Sequence, residues 1–188
     1  VLADRQVALC QLGLLGLAEY CAVTGQAALG NTFMQQAIEL LEAAQAAPID
    51  PGAADAQREF ETCDNRDETL TWAYLYAARF SIAEGAVARA QAAQTRASQL
   101  AQNLEQPHLL AETLLAEAEL LCHNDNCPEP GQRLLSLALQ QAELAGALRT
   151  QALIHRQIGA FGLSGNRYAE IEQSSRLAQE CGDVALAV

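Results

Sequence analysis

Small residues seven positions apart recur in pairs along this chain: Ala78/Gly85 then Ala90/Ala97, and Ala111/Ala118 then Ala138/Ala145. Positions seven apart share one face of a helix, and small side chains there let two helices approach closely. Ala18/Gly25 then Ala37/Ala44 form a fainter copy upstream, and Gly159 with Ala178 a partial one downstream, where Asn166 and Ile171 take the other two places. Ala78 to Ala111 is 33 residues, and Ala111 to Gly159 is 48, of which 15 are an excess between Ala118 and Ala138. A period of about 34 residues predicts stacked helix pairs rather than a bundle around one centre.

The residues between these positions also favour helix. About a fifth of the 188 residues are Ala, and Pro, Gly and β-branched residues are sparse, which lowers the cost of helix formation per residue. Helical periodicity places eight helices near 3–24, 31–47, 67–84, 86–105, 108–122, 131–146, 148–163 and 167–181, an all-α chain. The punctuation is Gly25 to Asn31, Pro48 to Gly52, Gly85, Gln106-Pro107, the 123–130 stretch, Gly146 and Ser164-Gly165-Asn166. Residues 48–66, with two Pro and little periodicity, read as a long linker inside one domain.

Charge and cysteine usage exclude several roles. The net charge is −12, with eleven Arg and no Lys, so the basic stripe that phosphate backbones require is missing and nucleic acid is not an expected partner. The most apolar stretch, Val7 to Val23, is broken by Gln11 and Glu19, so neither a membrane span nor a signal peptide is expected. Six scattered Cys do not form a disulfide framework, which points to reduced thiols in the cytoplasm. The start at Val1 without Met, and the stop at Val188 soon after Cys181-Gly182-Asp183, lead us to expect a fragment of a larger protein.

Ile158-Gly159, then Gly165-Asn166-Arg167-Tyr168, Ile171 and Ala178, followed by Gly182-Asp183, resemble one tetratricopeptide repeat (TPR) running into the next. Ala78, Gly85, Ala90 and Ala97 match the small positions of that family a second time. The closing proline of the family occurs only as Pro48 and Pro107, and its large aromatic positions mostly hold Leu or Ser. The resemblance implies an α-solenoid of about four stacked antiparallel helix pairs, near 3–47, 67–105, 108–146 and 148–181, in a single domain over 1–188. It is similar to helical regulatory regions of bacterial signalling proteins that carry GGDEF diguanylate cyclase or LuxR-type outputs. It therefore implies a non-catalytic interaction or sensory scaffold. The alternative it leaves open is a homodimerisation module that controls an attached output domain.

In such an array the first helices of successive pairs line a concave surface that holds a protein or peptide segment. With Ala18, Ala78, Ala111 and Gly159 as equivalent positions, their same-face neighbours are Glu19, Trp72, Leu75, Arg79, His108, Glu112, Leu115 and Arg156. Trp72 and Arg79 lead this set, since Trp and Arg are enriched where binding energy concentrates. The competing reading makes Trp72, Tyr74 and Tyr76 packing residues beside the linker, and Arg79 and Arg156 solvated or locally paired charges.

Chemistry has fewer footholds. Cys122, His123 and Cys127 place three borderline ligands within six residues, the beginning of a zinc site that needs a fourth ligand such as Cys63 or Asp64. No second Cys-x-x-Cys follows, and turn preferences account for the Asn/Asp-rich loop, so neither metal nor cofactor is expected. Cys10 and Cys21 share a face but stand roughly 16 Å apart along a helix, too far to bond. His155 beside Arg156, with Glu112 or Glu117, has the residue types of an acid–base set, but no nucleophile motif or phosphate loop accompanies it.

Overall fold

The structure, a computed structural model, describes residue 13 and residues 16–18, 20–46, 63–125, 128–162 and 165–183. Regular structure among them is helical throughout, without a strand. The helices are α1 (Ala27–Ala46), α2 (Cys63–Ala83), α3 (Val87–Leu104), α4 (Pro107–Asp125), α5 (Pro128–Leu144), α6 (Leu148–Phe161) and α7 (Arg167–Cys181). Residues 16–18 and 20–24 are also helical and lead into α1. The chain divides into two compact units, Val1–Leu104 and Glu105–Val188. The division falls between the second and third expected helix pairs. Most of the first expected helix and of the 48–66 linker lies outside the described residues.

Short connections follow from one capping geometry. At Gly85 (φ 71°) the glycine N–H bonds to Ile82 O and the next N–H, of Ala86, reaches back to Ser81 O. Gly146 closes α5 in the same way, onto Glu143 O and Ala142 O. This pairing satisfies carbonyls that a helix end leaves open, and its left-handed residue is one that glycine adopts without a Cβ penalty. Gly85, Ala145 and Gly25, read above as helix-packing positions, are exposed turn residues instead.

At the end of α3 the left-handed place is taken by Glu105 (φ 52°). A side chain there costs roughly 1–2 kcal/mol, offset in part because glycine loosens the unfolded chain. Glu105→Gly is expected to stabilise the protein by about 0.5–1 kcal/mol, read as a higher urea midpoint with an unchanged slope.

Two expected loops are shorter than the sequence reading. Gly25 and Gln26 suffice to turn the chain, with Gln26 N–H on Cys21 O, so α1 begins at Ala27 and Gly30 lies within it. Helix also replaces most of 123–130: α4 runs to Asp125 and α5 begins at Pro128. Proline is tolerated there because the first helical N–H has no intrahelical acceptor. These helices, of 19 and 17 residues, are no longer than α2 and α3, of 21 and 18, so the 15-residue excess comes from matching Ala118, inside a helix, with Gly85, in a turn.

In the first unit α1 packs on α2 and α2 on α3. Met34, Ala37, Ile38 and Leu41 of α1 meet Leu70, Ala73, Ala77 and Phe80 of α2, with Ala18 and Cys21 in the same core. Asn31 Nδ2 donates to Glu84 Oε2 (2.8 Å), while Tyr74 Oη donates to Glu42 Oε1 (2.6 Å). Ascending numbers in α1 therefore meet descending numbers beyond and within α2, so these helices are antiparallel.

In the second unit α4 packs on α5, α5 on α6 and α6 on α7, and α4 also touches α6. Ala111, Leu115 and Ala118 of α4 share a core with Leu135, Ala138 and Ala142 of α5 and Ile154 of α6. Ala152 joins Leu177 and Ala178 of α7 in a smaller one. Ala18, Ala37, Ala78, Ala90, Ala97, Ala111, Ala118, Ala138, Gly159 and Ala178 are all buried, as close helix approach requires.

Candidate functional site

α4 and α6 lie side by side, and two hydrogen bonds set their register. Thr150 Oγ1 donates to Glu112 Oε1 at 2.8 Å, and Gln157 Nε2 donates to Glu119 Oε1 at 2.7 Å. Both pairs are 38 residues apart, so numbers rise together and the two helices run parallel. Two full turns separate the bonds, which places both on one face of each helix. The inner pair is buried, with Glu112 only 2% exposed, and a buried carboxylate is tolerated where donors meet it.

This register differs from the small-residue alignment. Ala111 was matched with Gly159, 48 positions on, whereas Thr150 is the residue beside Glu112. Helix starts agree with the longer repeat: Pro107 and Leu148 are 41 residues apart, and Pro128 and Arg167 are 39. The expected period of about 34 is too short here because α4 and α5 alone take 19 and 17 residues.

α6 is bolted to α7 along its length. His155 Nδ1 and Glu170 Oε2 are 2.7 Å apart, Ser174 Oγ donates to Ala152 O at 2.7 Å, and Arg149 Nε donates to Asp183 Oδ2 at 2.9 Å. Rising numbers on α6 meet falling ones on the α7 side, 149 facing 183, 152 facing 174 and 155 facing 170, so this pair is antiparallel. His155 is thus held by Glu170, while Glu112, one of the carboxylates considered for it, is bonded to Thr150.

On α2 three aromatic rings follow one another at four-residue spacing. Trp72 and Tyr76 have centroids 6.4 Å apart, and Tyr76 and Phe80 6.3 Å, separations at which aromatic pairs attract. Trp72 is half-buried at the head of this row, whereas Phe80 is core. A Cβ on Gly30 would lie under 3.0 Å from three carbons of the Phe80 ring. The absent side chain is what admits the ring.

Tyr74 stands between Glu42 and Arg96. Burial, and then the hydrogen-bonded Glu42 carboxylate, push its phenol above the ordinary 10.0, with Arg96 acting the other way. The folded state holds that proton more tightly, so the contribution is whole below pH 10 and is lost as pH rises through the folded value. Tyr74→Phe is expected to flatten the fall of stability above pH 10 in urea unfolding. A fall as steep as the parent's would show that Tyr74 is not its source.

The residues chosen from sequence are distributed between the units. Leu75 is buried at 0% exposure and Glu112 at 2%, so neither side chain is available at a surface. Arg79 and His108 are half-buried and already engaged within the protein. Arg156 is exposed and makes no hydrogen bond or ion pair among the described residues. Leu115 is core, and Glu19 lies outside the described residues. Of the residues considered for metal, Cys122 is half-buried and His123 exposed, while Cys127 and the side chains of Cys63 and Asp64 lie outside the described ones. Cys122 Sγ fills the space that a Cβ on Gly131 would take. No group of three or more metal-ligating side chains occurs among the described residues, and no helix among them is long and apolar enough to cross a membrane.

The α4–α6 bonds and the Tyr74 cluster were missed in the sequence. The one sequence signal of the α4–α6 bonds is their shared 38-residue spacing, which becomes informative only after α4 and α6 are known to be neighbours. No family model, curated protein or solved structure matches the chain.

Proposed function

We propose that this chain is a non-catalytic, TPR-like helical-repeat scaffold that binds a protein or peptide segment, as a regulatory part of a bacterial cytoplasmic signalling protein. The observation that carries the reading is the parallel α4–α6 pair, held by two bonds of identical spacing. Successive hairpins stacked side by side bring their first helices into parallel contact, and the outward faces of helices aligned in this way form the concave surface that helical repeats use for partners. Of the named residues, exposed Arg156 in the second unit and half-buried Trp72 in the first are the anchors this reading retains, each for a segment bound on its own unit.

The test is peptide selection on the immobilised protein from a random library, followed by titration of the selected peptide. For a peptide bound on the first unit Trp72→Ala, and for one bound on the second Arg156→Ala, is expected to weaken binding by about tenfold or more, with unchanged urea midpoints. Absence of enrichment, or equal affinity for parent and both variants, counts against the scaffold reading. Loss of fold in Trp72→Ala would assign that ring to packing, leaving Arg156→Ala to decide.

Self-association is the second reading, favoured by apolar side chains left exposed on both units, among them Val23 at 72% and Leu144 at 75%. Sedimentation velocity over a hundredfold range of concentration distinguishes the two, since a strict monomer throughout removes it.

A further inference from the structure

We draw no further inference here: the strongest candidate, the exposed apolar patch of Phe161, Tyr168 and Ile171 where α6 turns into α7 in the second unit, has nothing in the structure to show what covers it.

Discussion

Gly30→Ala is expected to destabilise the first unit by about 1–2 kcal/mol, although glycine to alanine within a helix ordinarily stabilises by roughly 0.5–1 kcal/mol. The sign is reversed by Phe80, whose ring occupies the place of the new methyl. Phe80 is only 4% exposed and packed in the α1–α2 core, so it cannot swing into solvent without losing much of its burial. Forcing a methyl into such a space costs about 1–3 kcal/mol. On a Phe80→Leu background the same Gly30→Ala change is expected to be neutral or stabilising. Urea unfolding followed by helical circular dichroism measures all four proteins. An equal cost on both backgrounds would remove the ring as the cause.

Gly30 also shows which glycines can be understood from sequence. Gly146, and Gly85 where it was read as punctuation and not as a packing position, were legible as turns because the left-handed backbone each adopts is local to that one residue. Gly30 was read as part of a loop and Gly131 as the first residue of a helix, yet both lie within helices, each opposite a side chain from another helix. The requirement for glycine there is set by Phe80, fifty residues away, and by Cys122 on the preceding helix. Local pattern carries no record of such neighbours. Glu105 is the converse case, a left-handed residue without the glycine that would announce it.

Helical class and most boundaries followed from composition and period, since α6 and α7 begin where expected at 148 and 167. The candidate site was less legible. Glu112 was placed on the concave surface as a same-face neighbour of Ala111, but tertiary packing hides it and a hydroxyl from α6 compensates. Arg156 is exposed and makes no ion pair among the described residues. Polar identity alone could not separate these two outcomes, because each depends on what the neighbouring helix supplies.

Thr150→Val keeps the shape of the side chain and removes the hydroxyl that Glu112 accepts from, with an expected loss of about 1–3 kcal/mol. The reason is asymmetry: Glu112 stays buried and loses one donor, whereas Thr150 itself gives up only a modest bond. Combining Thr150→Val with Glu112→Gln in a double-mutant cycle is expected to give a coupling of at least about 0.5 kcal/mol. The partly buried Gln157–Glu119 pair should couple less, because water screens it and can replace it. Amide exchange then locates the damage: protection should fall in α6 and α7 while α1 to α3 keep theirs. If the α4–α6 register supports partner binding, Thr150→Val should also weaken the selected peptide without touching Arg156. Unchanged peptide affinity together with loosened α6 amides would separate the two ideas, leaving the seam a packing device and placing any binding surface elsewhere.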